Sequence, residues 1–285
     1  MEEHINVEYA GRQLTISTGA LAKQADGSVL VQYGDAVVLV TVVVDKRASI
    51  KDFLPLTVNY QEMSYDAGKF PGGFFKREGR PSERDILMSR LIDRPLRPLF
   101  PKRFTNEVQV IATVLSADQE NDPAILGILG ASCALTISEI PFDGPLAGIK
   151  VGRKNGSFLI NPTPADLEES DLDIVVTGNR EAIIMVEGEA KFVSGEDLIE
   201  AIHFGHQNLV PLIEIQEQLK EKVGRQKWDV VIDSRLEELV RELKGKAEED
   251  LLKAFSVSGK QERAKKQNDV LDGLIKTYPD IEEGL

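Results

Sequence analysis

At 285 residues the chain is long enough for one large domain or two ordinary ones, and its 42% apolar and 28% charged content is that of a globular protein rather than a disordered one. A net charge of −13 argues against nonspecific nucleic-acid binding over the whole surface. The longest apolar run, Ala36 to Val44, is too short to cross a bilayer, and the acidic start Met1-Glu2-Glu3-His4 lacks the order of a signal peptide. One cysteine, Cys133, rules out an internal disulfide framework and a cysteine-clustered zinc site; its small neighbours suit a buried helix. The expectation is a cytoplasmic protein with no membrane contact.

In chain order, Ile5 to Tyr9 and Gln13 to Ser17 predict a hairpin around Gly11-Arg12. A second hairpin is predicted from Ser28 to Tyr33 and Ala36 to Val44, joined by Gly34-Asp35, with the last strand buried on both faces. Leu54 to Tyr60 predicts another strand. The stretch from Met63 to Gly79, broken by Gly68, Pro71, Gly72 and Gly73, predicts a long loop. Ser82, with Asp85 three residues on, predicts a helix start, and Pro95 and Pro98 place its end near Asp93. Val108 to Leu115 reads as a strand. Ala124 to Ser138 reads as a core helix capped by Asp122 with Pro123 in its first turn. Hairpins follow from Gly148 to Ile160 around Asn155-Gly156 and from Leu172 to Val186 around Gly178-Asn179, then a helix from Glu196 to about Lys222. Beyond Gly224 the chain is rich in Glu, Lys, Leu and Arg. A short strand over Asp229 to Ile232 and helices at about Ser234 to Ala254 and Gln261 to Thr277 are predicted. The last residues, from Tyr278 to Leu285, form no evident closing element, which suggests a piece of something longer.

Charge is unevenly placed. Between Lys69 and Arg103 ten basic residues face four acidic ones, a local +6 that leaves −19 for the remainder. Within this island Phe74-Phe75-Lys76-Arg77, on a glycine-flanked loop with Arg80 following, suits single-stranded nucleic acid. Rings stack on unpaired bases, about 1–3 kcal/mol each, while the cations neutralise phosphates. Arg90 and Arg94 share a face of the following helix, and Arg97 follows across Pro95. Two plainer readings stand beside this one: a solvated helix with local pairs such as Arg90 with Asp93 or Asp85, and phenylalanines packed beneath the loop. His203 and His206 have a spacing compatible with a metal but no apparent third ligand, so packing is the simpler reading.

The run from Phe74 through Glu83, continued by Arg90-Leu91-Ile92-Asp93-Arg94-Pro95-Leu96-Arg97-Pro98, closely resembles the front part of the bacterial polynucleotide phosphorylase family. Gly130-Ala131-Ser132-Cys133, Ile140-Pro141-Phe142-Asp143-Gly144-Pro145, Asn161-Pro162-Thr163, Met185-Val186-Glu187-Gly188-Glu189-Ala190 and Ala201-Ile202-His203-Phe204-Gly205-His206 extend the resemblance. It implies an α+β, RNase PH-like fold (the ribosomal-protein-S5-domain-2-like class) over residues 1–223, with a mixed sheet and packed helices. Residues 224–285 would be a small all-α linker domain, truncated here. It implies a 3′-to-5′ phosphorolytic exoribonuclease that uses inorganic phosphate as co-substrate and Mg2+ as cofactor, works on single-stranded RNA, forms a homotrimer and meets other RNA-degradation proteins. Phe74, Phe75, Lys76, Arg77 and Arg80, with Arg90, Arg94 and Arg97 behind them, would grip RNA at a pore. Lys76 stands where the family commonly has arginine, keeping the charge but weakening planar stacking.

In the family the catalytic site lies mainly in a second RNase PH-like domain. Here the corresponding helix start, Asp118-Gln119-Glu120-Asn121-Asp122-Pro123, carries three carboxylates that repel phosphate, and Asp143 stands alone where an aspartate cluster is expected. No catalytic residue and no metal ligand is therefore assigned in this chain, and Mg2+ is not expected on it. The alternative is a noncatalytic RNA-binding or scaffold subunit of an exosome-like ring.

Overall fold

The computed structural model describes residues 2–49, 51, 53–74, 76–230 and 234–278. Phe75, half of the short strand expected over Asp229 to Ile232, and the chain end beyond Tyr278 lie outside the described residues. The chain divides into two compact units, Met1–Val230 and Val231–Leu285.

The first unit opens with β1 (Glu3–Tyr9), β2 (Arg12–Thr18), β3 (Gly27–Tyr33) and β4 (Ala36–Ala48), a run of antiparallel neighbours. The turn between β1 and β2 is one residue earlier than the sequence suggested: Ala10 and Gly11 both have positive φ, the primed geometry that matches strand twist. Then come β5 (Leu56–Gln61), α1 (Glu83–Leu96) and β6 (Asn106–Ser116). β6 pairs antiparallel with β4 and parallel with β5, so the sheet order is β1-β2-β3-β4-β6-β5. A parallel pair needs a crossover, and α1 is that crossover. The segment between Gln61 and Glu83 is therefore a loop at the carboxyl end of a parallel strand.

α2 (Pro123–Ile137) has all fifteen residues buried, including Cys133, whose thiol is pushed up to about 12 by burial. It packs on β3, β4, β7 and α1 with glycines at the closest approaches: a side chain on Gly130 would strike Val40, and one on Gly127 would strike Ile92. The second sheet, order β10-β9-β7-β8, contains β7 (Ala147–Lys154), β8 (Ser157–Ile160), β9 (Leu172–Gly178) and β10 (Ile183–Ala190), all antiparallel. Asn155 and Gly156 make the expected primed turn, both with positive φ. A short helix α3 (Pro164–Glu168), not foreseen in the sequence, links the hairpins, and α4 (Gly195–Val223) runs unbroken through Pro211.

Three expectations are corrected. β4 is not buried on both faces: Val38, Val40 and Val42 are buried, but Val37, Leu39 and Thr41 are half-buried and Val43 is exposed, because α2 covers one face only. α1 does not stop near Asp93. It continues through Pro95 to Leu96 before a 3-10 turn over Arg97–Leu99, since Pro95 and Leu96 are buried and their packing outweighs the lost N–H bond. Finally, Asp229 and Val230 form no strand. Residues 224–230 instead follow the first unit, with Arg225 N donating to Ile137 O at 3.0 Å and Trp228 N to Glu139 O at 2.9 Å. Lys227 Nζ caps the end of α2, donating to the carbonyls of Leu135 (2.6 Å) and Ser138 (2.8 Å).

The second unit holds α5 (Ser234–Phe255) and α6 (Lys260–Thr277), joined by four residues. Ala247 and Ala254 are buried along their seam, and the Tyr278 hydroxyl donates to Glu242 at 2.7 Å. Among the described residues no helix is long and apolar enough to cross a membrane.

Candidate nucleic-acid interface

The loop between β5 and α1 is built in two parts. Its first limb is an ordered turn: Asp66 N donates to Met63 O (3.0 Å), Gly68 N to Tyr65 O (2.9 Å) and Lys69 N to Ser64 O (2.8 Å). Ala117 N, just past β6, donates to Asp66 O at 3.2 Å and ties this turn to the sheet. The Glu78 carboxylate returns to the same place, accepting from Ser64 N at 2.8 Å. Ser64 and Glu78 thus close a neck, and the segment between them projects from it.

On that projection Phe74 is 93% exposed and Lys76 and Arg77 are exposed, as is Arg80 just past the neck. The side chains of these three cations make no hydrogen bond or ion pair among the described residues. Lys76 has a left-handed backbone, φ 49°, a conformation that costs a non-glycine residue about 1 kcal/mol.

The α1 arginines divide differently. Ser82 forms the expected capping box with Asp85: Asp85 N donates to Ser82 Oγ at 3.1 Å and Ser82 N to Asp85 Oδ2 at 2.7 Å. Arg90 is exposed and borders a 370 Å³ groove against β5, whose walls include Asn59, Gln61, Pro81 and Ile86. The local pair of Arg90 with Asp93 or Asp85 does not form: Asp85 is committed to the cap, and Asp93 is held by Arg97 Nη2 at 2.7 Å. Arg97 also donates to Leu54 O (3.2 Å) and Leu56 O (3.1 Å), and Ser89 Oγ accepts from Tyr60 N at 2.9 Å. β5 is an edge strand, and these bonds satisfy edge groups that would otherwise invite another strand. Arg94 pairs with Glu187 of β10. Arg94 and Arg97, read from the sequence as RNA contacts, are thus held by the protein itself. The loop cations and Arg90 are not.

The acidic start of α2 is also put to work locally. Asp118 Oδ1 accepts from Glu120 N and Asn121 N, both at 2.9 Å, while Oδ2 accepts from Asp35 N (3.2 Å) and Ala36 N (3.1 Å) in the β3–β4 turn. Asp122 caps α2, accepting from Ala124 N at 3.0 Å, and pairs with Lys150 at 3.0 Å. Burial works against the Lys150 ammonium, but Asp122 and Asp173 beside it raise its pKa above the ordinary lysine value. His206 Nε2 lies 2.9 Å from Asn179 O and braces the β9–β10 turn, while His203 is exposed. Among the described residues no three His, Cys, Asp or Glu side chains converge as a metal-ligand set.

Asp118 makes a pH prediction. Partial burial raises its pKa, but the backbone and side-chain bonds it accepts outweigh this and hold it below the usual carboxylate value. A depressed folded pKa contributes stability that is complete above the unfolded value, about 4, and is lost as pH falls through the folded value. Asp118→Asn should therefore lower stability at pH 7, by about 1 kcal/mol once solvent screening of the partly exposed carboxylate is allowed for, and narrow its deficit to wild type below about pH 4. Urea titrations from pH 7 to pH 3 check this, and a deficit that does not change with pH would count against it.

Two features of the loop went unread in the sequence. The Ser64–Glu78 neck joins residues fourteen apart and leaves no periodic trace. Phe70, 90% exposed, lies outside the quoted motif although Lys69-Phe70 has the same ring-and-cation pairing as Phe74 to Arg77.

Comparison with known proteins identifies the fold. The family model "3' exoribonuclease family, domain 1" matches residues 10–141, and "3' exoribonuclease family, domain 2" matches 144–208. The chain is 54% identical over 267 residues to the polyribonucleotide nucleotidyltransferase of Pelobacter propionicus, covering 92% of this chain and 37% of that one. It is 52% identical to that of Geobacter sulfurreducens (100% and 41% covered) and 49% identical to that of Bacillus subtilis (99% and 40%). The chain thus spans about two fifths of the length of these curated relatives. Among solved structures, rice Rrp46 superposes with a TM-score of 0.58 at 16% identity, covering 76% of this chain and 94% of that one, a likeness of fold. With both domain models matched in order over most of its first unit, the chain belongs to the RNase PH-like 3′ exoribonuclease family.

Proposed function

We propose that this chain supplies the RNA grip of a 3′-to-5′ phosphorolytic exoribonuclease, in which inorganic phosphate attacks the terminal linkage of RNA and releases nucleoside diphosphates. The observation that carries the reading is the clamped loop that holds the Phe74 ring, Lys76 and Arg77 exposed to water, with Arg80 exposed just past the clamp, on an otherwise acidic chain. The kinship with polyribonucleotide nucleotidyltransferases supports the reaction class. RNA contact belongs to Phe74, Lys76, Arg77, Arg80 and Arg90, with Phe75 assigned on the sequence alone. Arg94 and Arg97, paired with Glu187 and Asp93, brace the helix beneath.

Phosphate activation and magnesium belong in this proposal to a second RNase PH-like domain, because here Asp118 and Asp122 are consumed as loop and helix caps. The domain scheme that goes with it is an RNase PH-like domain over residues 1–223 and a helical linker over 224–285, the linker's first residues, 224–230, belonging structurally to the first unit. In the whole enzyme three chains would form a ring with the loops at its pore, working in the cytoplasm.

The test is turnover. The purified chain, given oligoadenylate, phosphate and magnesium, should bind the RNA and release no ADP. Joining a second RNase PH-like domain to it should restore ADP release. ADP from the chain alone would contradict the placement of the chemistry, and continued silence after the addition would favour a noncatalytic scaffold.

A further inference from the structure

The Phe70 ring is 90% exposed, whereas those of Phe100, Phe104 and Phe142 are buried. It leaves the chain directly after the ordered limb of the loop, where Lys69 N is bonded to Ser64 O and the turn is tied to the end of β6 through Asp66 O. Its backbone anchor is therefore in place before any ligand arrives, and less ordering cost is charged against a contact made there. Lys69 beside it is exposed, with no side-chain bond among the described residues. Phe74 lies four residues on, at most about 14 Å along the chain. An exposed ring with a cation beside it suits a polyanion that carries its own flat faces.

We propose that Phe70 is a second stacking platform for single-stranded RNA, with Lys69 its phosphate contact, so that the strand is held along the sheet-side limb of the loop as well as at its tip. This rests on the reading of the loop as RNA-binding, and the experiment separates the two. Labelled oligoadenylate is titrated with the 285-residue chain over a series of KCl concentrations. Phe70→Ala should weaken binding about 5- to 150-fold without changing the salt slope, because a stack is lost and no charge is removed. Phe70→Leu should lose affinity similarly and Phe70→Trp should keep it. Lys69→Gln should lower the slope by about 0.7. If Phe70→Ala binds like wild type while Phe74→Ala and the Arg77/Arg80 changes weaken binding, the second platform is wrong and the RNA loop stands. Should Phe70→Leu match wild type, the contact is apolar and the stacking proposal is overturned. If none of these variants weakens binding, both readings fall together.

Discussion

Gly27→Val should lower the stability of the first unit by about 3 kcal/mol or more, the largest single-residue loss anticipated here. Gly27 opens β3 where the strand passes directly over α2. A Cβ at that point would lie 2.3 Å from the carbonyl oxygen of Ala134 and 3.0 Å from its carbonyl carbon. A flexible side chain in the way would swing aside, but this obstacle is backbone within a helix whose fifteen residues are all buried. Relief requires β3 or α2 to move, and β3 is paired on both sides, with β2 and β4. Urea denaturation should show the midpoint falling with little change in slope. Gly195→Ala is the control: a Cβ there meets open space at the start of α4, so its midpoint should be unchanged or slightly raised. Equal midpoints for Gly27→Val and wild type would mean the two elements do not approach as described.

For the candidate site the largest effect on salt dependence should come from Arg77→Ala combined with Arg80→Ala. Each guanidinium is exposed and makes no bond among the described residues, so its charge is available to a phosphate. Removing both should weaken oligoadenylate binding about tenfold at 0.15 M salt, taking about 0.7 kcal/mol for each exposed pair. The logarithmic salt slope should fall by about 1.4, because two fewer counterions are released from the single strand. Arg97→Ala makes the contrast. It removes the bonds to Asp93, Leu54 O and Leu56 O, so it should cost about 1–2 kcal/mol of stability and leave the slope nearly unchanged. A reversed pattern, with Arg97→Ala flattening the slope and the double variant leaving it alone, would move the RNA path from the loop to α1.

Much of this molecule is legible from short stretches of chain, and the legible parts share a cause. The Ser82 and Asp85 capping box, the Asp122-Pro123 start of α2 and the Asn155-Gly156 turn each depend on atoms within four residues, and each forms as the sequence indicates. The clustering of Phe74, Lys76, Arg77 and Arg80 on one glycine-rich loop is local in the same sense, and so is the family kinship carried by contiguous motifs.

Tertiary structure decided whatever depends on residues meeting across the chain. No local rule distinguishes Arg90 from Arg94 and Arg97; the fold does, by bringing Glu187 beside Arg94 and the β5 carbonyls beside Arg97. Asp118 became a brace for the β3–β4 turn 82 residues away, and β4 kept one half-open face because a single helix layer covers its sheet. Composition and spacing set which groups can cap, turn or carry charge. Which cations remain unspent is settled only when distant carboxylates and carbonyls have taken their partners, because a charge–charge or hydrogen-bond energy depends on separation in space and not along the chain.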